Sequence, residues 1–212
     1  MKEMTKRVLM TLVGVSLGGF SVGMFNRSMF GMDPFQVFAH GVWPVGKIGF
    51  GTFYMLLNLL MLIGIFFLDK KKIGVTTFIN IFLLGYVVEG SSWLFDQIFP
   101  DPNMFIRIFL LVAAVLIMCF GSALYYVGDL GVSTYDAIAL ILTEKTGKKF
   151  QYIRIGSDVI CTAIGYLLGA VVGVGTLITA FFMGPLIAFF RVRVAEPMRY
   201  GRKLGEVPVT NS

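Results

Sequence analysis

"GMDPFQ" at residues 31–36 follows the first long apolar run of the chain, and "GVSTYD" at residues 131–136 follows another such run. Each stretch places a glycine two residues before a good helix N-cap, which is Asp33 in one copy and Ser133 in the other. Glycine tolerates the sharp turn that ends one helix and starts the next. The sequence therefore predicts a new short helix directly after an apolar helix, at the same point in two halves of the chain.

The residues after each cap continue the signature of a helix start. Pro34 suits the first helical position, and Gln36 stands where it completes a capping box with Asp33. Asp136 takes the reciprocal position behind Ser133. Such helices either dip into the protein, with N–H groups and partial positive charge toward its interior, or connect spans at the membrane surface. Both alternatives stay open for the two predicted helices, roughly Pro34–Gly41 and Thr134–Thr143.

Composition indicates an integral membrane protein. Hydrophobic residues make up 57% of the chain and charged residues 14%, and the mean hydropathy is +0.82. Soluble domains usually carry about 25% charged residues. The two cysteines, Cys119 and Cys161, lie inside apolar runs, which favours packing over a disulfide, and the single His40 cannot build a histidine cluster. We therefore expect an all-α membrane protein with no metal and no cofactor.

Six apolar stretches approach the roughly 20 residues that cross a bilayer as a helix. The last two form one long apolar block, and Gly169, Gly173 and Gly175 mark the hairpin between them. The predicted spans are Val8–Phe25, Gly51–Leu68, Ile73–Phe95, Ile108–Val127, Ile153–Ala170 and Gly175–Phe190.

Basic residues predict the orientation of these spans. Of the 18 Lys and Arg, only Arg27, Lys47 and Arg107 fall on one side of the predicted membrane. By the positive-inside rule the other side, with both termini, is cytoplasmic. The net charge of +6 then reflects the orientation in the membrane. It predicts binding to anionic lipid headgroups rather than to nucleic acid. The basic residues on the predicted cytoplasmic side are Lys2, Lys6, Arg7, Lys70, Lys71, Lys72, Lys145, Lys148, Lys149, Arg154, Arg191, Arg193, Arg199, Arg202 and Lys203.

The two halves of the chain form an internal repeat at a nearly constant offset. At 100 residues the pairs are Arg7 and Arg107, Phe25 and Tyr125, Gly31 and Gly131, Phe35 and Tyr135, and Asn58 and Asp158. At 99 residues they are Gly74 and Gly173, Thr77 and Thr176, and Gly85 and Gly184. Three spans per half is an odd number, so the second copy must be inverted, as in many secondary transporters. We predict two inverted three-helix repeats, residues 1–100 and 101–212 with a basic cytoplasmic tail, in one membrane domain.

The starts of the two short helices are the predicted binding site. Their free N–H groups favour a small anionic or dipolar ligand, whereas the carboxylates of Asp33 and Asp136 favour a cation instead. Phe35 and Tyr135 would supply aromatic walls. The candidate residues are Arg27, Asp33, Pro34, Phe35, Gln36, Ser133, Thr134, Tyr135 and Asp136.

Other polar or small residues within the spans have competing interpretations. Glu89 either faces the bundle interior, as a candidate for proton coupling, or lies at the membrane interface. Asn58 and Asp158 are further polar residues within the predicted spans. Arg154 lies four residues before Asp158, which predicts a structural ion pair on one helix face. Close glycines in the first span predict tight helix packing within the bundle or in a homodimer, through Gly14, Gly18, Gly19 and Gly23.

The motifs Gly-x-Asp-Pro-Phe and Gly-x-Ser-x-Tyr-Asp, on a small six-span chain, resemble the YczE/YyaS-type bacterial membrane proteins, relatives of the YitT group. The resemblance implies a bacterial cytoplasmic membrane protein and little about its substrate. No Walker loop, HExxH motif or nucleophile elbow is present, so we do not expect an enzyme. A small secondary transporter is the favoured function. The alternatives are a substrate-binding subunit of a vitamin importer and a non-transporting regulatory or assembly protein.

The predicted topology has a direct test. In a background without Cys119 and Cys161, cysteines introduced at Asn103 and Gly147 should react with a membrane-impermeant thiol reagent from opposite sides. Reaction of both positions from the same side would contradict the inverted repeat.

Overall fold

The computed structural model describes residues 2–70, 73–148 and 150–201, and the described residues form helices and turns without strands. Of the basic residues used for orientation, Lys71, Lys72, Lys149, Arg202 and Lys203 lie outside this part. We number the helices α1 (Lys2–Ser28), α2 (Pro34–Val42), α3 (Phe50–Asp69), α4 (Val75–Ile98), α5 (Met104–Gly128), α6 (Thr134–Thr146), α7 (Phe150–Leu167) and α8 (Val174–Tyr200).

Helices α1 and α5, the first spans of the two halves, pack along each other in opposite directions. Small residues let their backbones approach at the crossing point. A methyl group at Gly14 would lie 2.5 Å from the carbonyl oxygen of Gly121, and one at Gly121 would lie 2.7 Å from that of Gly14. Without water between apolar helices, such close van der Waals contact is a main source of association. This pair forms the centre of the bundle.

Two arginines at equivalent positions of the repeat each bind the C-terminal end of the partner helix in this pair. Arg7 donates from Nε to the carbonyl of Gly128 at 2.9 Å, at the end of α5. Arg107 donates from Nε to the carbonyl of Ser28 at 2.8 Å, at the end of α1. Each guanidinium satisfies a carbonyl that has no partner within its own helix. Since both residues of each contact are 100 positions from their counterparts, the two halves repeat one contact.

The turns after α1 and α5 also repeat each other. Gly31 and Gly131 both adopt positive φ, at 88° and 108°. The carbonyl of Phe30 accepts the N–H of Gly175 at 2.7 Å, and the carbonyl of Leu130 accepts the N–H of Thr76 at 3.1 Å. Each turn is therefore fastened to the start of the last long helix of the opposite half.

The short helices begin inside the bundle. In α2 the residues Phe35, Val37 and Ala39 are buried, and the helix packs on α7 where Gly41 meets Gly165. Helix α6 buries its first turn and packs on α3 and α7. Both helices start close to the predicted residues, and α6 continues to Thr146, beyond the predicted Thr143.

Among the described residues, five helices are long and apolar enough to cross a membrane: α1, α3, α4, α5 and α8. Helix α7 has 18 residues but is not among them, because it is less apolar and carries Arg154 and Asp158. The expected hairpin before α8 is present, with Gly169 at positive φ and Gly173 preceding the helix.

The glycines of α1 are used within one chain. Gly14 faces α5, while Gly19 faces Val87 of α4. A methyl group at Gly23 would lie 2.7 Å from the backbone of Ser91. Of the two predicted uses of these glycines, tight packing within the bundle is therefore confirmed. The homodimer through Gly14, Gly18, Gly19 and Gly23 stays a prediction, and its surface would have to compete with the neighbouring helices of the same chain.

The two halves differ in how their last helices pack. Helix α4 packs along α3, and Gly85 touches the backbone of Gly51. In the second half α7 and α8 make almost no contact with each other in the described residues. A methyl group at Gly184, the counterpart of Gly85, would meet no atom within 4 Å, so the space beside α8 is open.

Replacing Gly14 with Ala should lower the free energy of unfolding by about 2 kcal/mol, because the new methyl group meets the backbone of α5. Gly64→Ala is the matched control, because Gly64 lies within α3 with nothing within 4 Å. Thermal unfolding in detergent compares the variants. Equal stability of the two would contradict the close crossing of α1 and α5.

Candidate functional site

A cavity of about 370 Å³ lies where the two short helices begin. It is lined by both capping segments and by residues of α1, α3, α4, α5, α7 and α8. Its volume falls in the range of small-molecule sites. The polar lining residues include Asp33, Gln36, Tyr54, Asn58, Asn80, Ser122, Tyr125, Tyr126, Ser133, Thr134, Tyr135, Asp136, Arg154, Asp158 and Thr179.

Asp33 fixes the start of α2 at the cavity wall. Its Oδ1 accepts the backbone N–H groups of Phe35 at 3.2 Å and Gln36 at 3.3 Å. Pro34 has no N–H to satisfy at this position. The side chain of Gln36 is buried at 3% exposure, and its Oε1 has no hydrogen-bond partner in the described residues. The N-cap therefore uses two backbone donors, whereas Oε1 of Gln36 stays unpaired in the described part of the chain and does not complete the predicted capping box with Asp33.

Ser133 fixes the start of α6 in the same way. Its Oγ accepts the N–H of Asp136 at 3.2 Å, and its own N–H donates to the hydroxyl of Tyr125 at 2.7 Å. The next residue, Thr134, donates its hydroxyl to Oδ1 of Asn58 in α3. The second helix start is thus tied to α3 and α5 by buried polar contacts.

The aromatic residues that follow the caps stack on each other. The rings of Phe35 and Tyr135 lie 4.7 Å apart between centroids and 17° from parallel. Tyr54 meets Phe35 edge-on at 5.9 Å, and the guanidinium of Arg154 lies 4.4 Å from the centroid of Tyr135. The stack joins the two halves at the centre of the site. Stacked aromatic pairs stabilise a fold by more than the burial of their surface alone.

Arg154 bridges two carboxylates at the second half of the site. It pairs with Asp136 through Nη1, and its Nε lies 3.4 Å from Oδ1 of Asp158. The hydroxyl of Tyr135 also donates to Oδ1 of Asp158 at 2.7 Å. The predicted pair of Arg154 and Asp158 is therefore present, as part of a larger network that faces the cavity.

Hydroxyl groups complete the surroundings of Asp136. Ser133 donates to its Oδ2 at 2.9 Å, and Tyr125 and Tyr126 donate to the same oxygen at 3.4 and 3.5 Å. Because its charge is balanced by Arg154 and by these donors, Asp136 is a satisfied buried carboxylate.

Asp33 lacks such a counter-charge. No salt bridge to it is found in the described residues, whereas Asp136 and Asp158 share Arg154. Asp33 lies in the loop between α1 and α2, outside the membrane-spanning helices. Burial raises the pKa of its carboxyl to about 6, partly opposed by the N–H of Gln36 and by Arg154. At neutral pH it is mostly ionised, and below about pH 6 it takes up a proton.

A second cavity of about 240 Å³ lies on the other side of the turn after α1. Its polar side chains are Asn26 and His40, whose Nδ2 and Nε2 atoms are 3.2 Å apart. Burial lowers the pKa of His40 to about 4, so the ring is neutral at physiological pH. This cavity therefore offers a neutral lining, unlike the first.

Residues 5–192 match a protein family described as "Family of unknown function (DUF6198)". The chain belongs to this family. An uncharacterized protein of Haemophilus influenzae is 26% identical over 121 residues, which cover 57% of this chain and 54% of that protein. The match thus spans about half of that relative. The uncharacterized membrane protein YczE of Bacillus subtilis is 22% identical over 173 residues, 80% of this chain and 78% of YczE. No solved structure matches.

These comparisons confirm the resemblance to YczE-type proteins and agree with a multi-pass membrane protein. In this DUF6198 chain the cavity brings together most of the residues predicted from sequence. Those that line it are Asp33, Pro34, Phe35, Gln36, Asn58, Ser133, Thr134, Tyr135, Asp136 and Asp158.

Two predicted residues lie elsewhere. Arg27 donates from Nε to the carbonyl of Phe99 at 2.5 Å and pairs with Asp96 at 3.4 Å, so it closes the end of α4. Glu89 is exposed, and its Oε2 accepts the N–H of Gly51 at 2.9 Å. The expectation that Glu89 faces the bundle interior is wrong, because its carboxylate caps the start of α3.

Sequence reasoning missed several cavity residues. Tyr54 is the counterpart of Arg154 at the offset that pairs Asn58 with Asp158, so extending the repeat by one helical turn would have found it. Asn80 lies in a π-helical turn of α4, a feature frequent at functional sites that leaves no clear sequence signature. In the described residues no group of three or more His, Cys, Asp or Glu is arranged to hold a metal ion.

Replacing Arg154 with Gln should lower the free energy of unfolding by about 2 kcal/mol, because Asp136 and Asp158 lose their shared cation. The effect is smaller than for a fully buried pair, since the Arg154 side chain is 31% exposed. The double variant Arg154→Gln with Asp136→Asn should recover part of the loss. Thermal unfolding checks this, and a double variant less stable than the single one would contradict the network.

Proposed function

We propose that this protein is a small secondary transporter that moves a small polar or charged solute across the bacterial cytoplasmic membrane. The observation that carries the proposal is the polar cavity at the meeting point of the two capped helices. Ionisable groups in the middle of an apolar bundle are costly and are usually retained for function. Asp33, Asp136, Arg154 and Asp158 all line this cavity.

The proposed architecture is a pair of inverted three-helix repeats, with α7 as the sixth span. The antiparallel α1 and α5 support it, as do the matching contacts of Arg7 and Arg107. Two copies related in this way place equivalent residues around one central point. The stacked rings of Phe35 and Tyr135 occupy such a point.

The short helices are proposed to be re-entrant rather than interfacial. Burial of Phe35 and Val37 in α2, and of Thr134 and Asp136 in α6, supports this choice. Polar backbone at membrane depth is tolerated where protein or a cavity surrounds it. Both helix starts meet that condition.

The different packing of the two halves supports alternating access as the proposed mechanism. The cavity wall is closed where α4 packs along α3, and we propose that the cavity opens between the more widely spaced α7 and α8, past Asp158 and Phe150, which both line it. If the halves exchange these packings, the cavity closes toward one side of the membrane and opens toward the other. With the proposed cytoplasmic termini, the open side faces the cytoplasm.

The other candidate functions fit the site less well. A regulatory or assembly protein has no need of a charged internal cavity. A substrate-binding subunit of a vitamin importer could have one, but it would not move solute without an energising complex. Autonomous transport therefore separates the proposal from both alternatives.

Reconstituted protein should support solute exchange by itself. Proteoliposomes preloaded with an organic cation, an organic anion or an amino acid are tested for counterflow of the same labelled solute. At least one class should show saturable counterflow that protein-free liposomes lack. Absence of counterflow for every class, with folded protein in the vesicles, would contradict the proposal.

Replacing Gly184 with Leu should reduce this counterflow at least tenfold without loss of stability. The new side chain fits the open space beside α8 and obstructs the later approach of α7. Gly64→Leu is the control, because Gly64 also has no neighbour within 4 Å but lies outside the cavity lining. Unchanged counterflow in Gly184→Leu would show that α7 and α8 do not need to close.

A further inference from the structure

We infer that the ligand of the central cavity is a protonated organic amine whose charge is held by Asp33. This inference rests on the proposed function and deepens it by naming the chemical class of the solute. Three features carry it: the charges around the cavity, the aromatic stack and an unpaired acceptor at the cavity wall.

The charge balance of the cavity favours a cation. In the described part of the chain, three carboxylates line the cavity and Arg154 is the one guanidinium that faces them. Arg154 already neutralises part of Asp136 and Asp158. Asp33 forms no salt bridge in that part of the chain, Arg154 only partly offsets its charge, and a buried ionised carboxylate without a close counter-ion is costly. A ligand cation supplies the missing charge.

The two faces of the stacked rings of Phe35 and Tyr135 differ in whether the protein itself places a cation beside them. On the face of Tyr135 the protein provides its own cation, since Arg154 lies over the ring and contacts Asp158. At the corresponding position in the first half stands Tyr54, which meets Phe35 edge-on and carries no charge. The first half thus has the carboxylate and the aromatic surface but no cation of its own.

Gln36 indicates that the cation carries N–H groups. Its side chain is only 3% exposed and borders the cavity, and its Oε1 has no partner in the described residues. A buried acceptor without a hydrogen bond carries an uncompensated desolvation cost. An ammonium group can donate to this oxygen and to Asp33 together, which a quaternary ammonium cannot do.

The helix starts do not favour an anion. The N–H groups of Phe35 and Gln36 are taken by Asp33, and the N–H of Asp136 is taken by Ser133. An anion would have to displace the carboxylate of Asp33 from its own helix. The cationic alternative is therefore the one that the contacts support.

Three probes of similar shape, benzylammonium, benzyl alcohol and benzoate, test the charge of the ligand, and a fourth, benzyltrimethylammonium, tests its need for N–H groups. Binding to the purified full-length protein in detergent is measured by calorimetry at pH 7.5. Benzylammonium should bind at least tenfold more tightly than the other two, and benzyltrimethylammonium should bind more weakly than benzylammonium. Preference for benzoate, or no preference among the three, would overturn the inference.

Asp33→Asn is the decisive variant, because Asn also caps helices well and the fold should persist. It should weaken benzylammonium binding at least tenfold, whereas Asp101→Asn, at an exposed loop carboxylate, should leave it unchanged. Binding to the wild type should also weaken as the pH falls below about 6, because Asp33 then takes up a proton. Unchanged binding in Asp33→Asn would overturn the role of Asp33.

The binding and counterflow experiments can fail separately. Binding of benzylammonium that depends on Asp33, without counterflow of any solute, would support the site and contradict transport. Counterflow of anions alone would support transport and contradict the amine. Circular dichroism of Asp33→Asn establishes that a loss of binding is not a loss of fold.

Discussion

Two helices that begin inside an apolar bundle leave backbone N–H groups where lipid cannot satisfy them, and this constraint shapes the centre of the protein. Asp33 and Ser133 solve it with side-chain oxygens. These capping side chains are themselves polar groups within the bundle, and their hydrogen-bonding and charge requirements are met by further polar residues. Tyr125, Asn58 and Arg154 belong to this second set. The cavity is therefore a consequence of how the two short helices start.

The packing of the long helices holds the two starts in register. Helices α1 and α5 meet at Gly14 and Gly121, and the arginines at their ends join the turns that precede α2 and α6. A change in the crossing of α1 and α5 would move Phe35 relative to Tyr135. The site thus depends on contacts that lie far from it along the chain, while the looser packing of α7 and α8 leaves room for motion beside it.

Much of this arrangement could be predicted from the sequence, because caps and glycines act locally. Asp33, Pro34 and Gln36 define a helix start wherever the chain is placed, and the offset between Phe35 and Tyr135 shows which residues are equivalent. Contacts between residues far apart in the sequence could not be predicted in this way. Glu89 is polar within an apolar run, but only the fold shows that it caps α3. Likewise, Arg154 pairs with Asp136 across 18 residues, a contact that helix periodicity does not reveal.

Transport by alternating access requires that one central cavity be exposed to each side of the membrane in turn. Leu84 and Met183 line that cavity from α4 and α8. The most direct measurement is the rate at which Leu84→Cys and Met183→Cys, each in a background without Cys119 and Cys161, react with an impermeant thiol reagent in intact cells and in inside-out vesicles. Each cysteine should react from both sides, and faster from the cytoplasmic side. Reaction from one side alone at both positions would contradict alternating access.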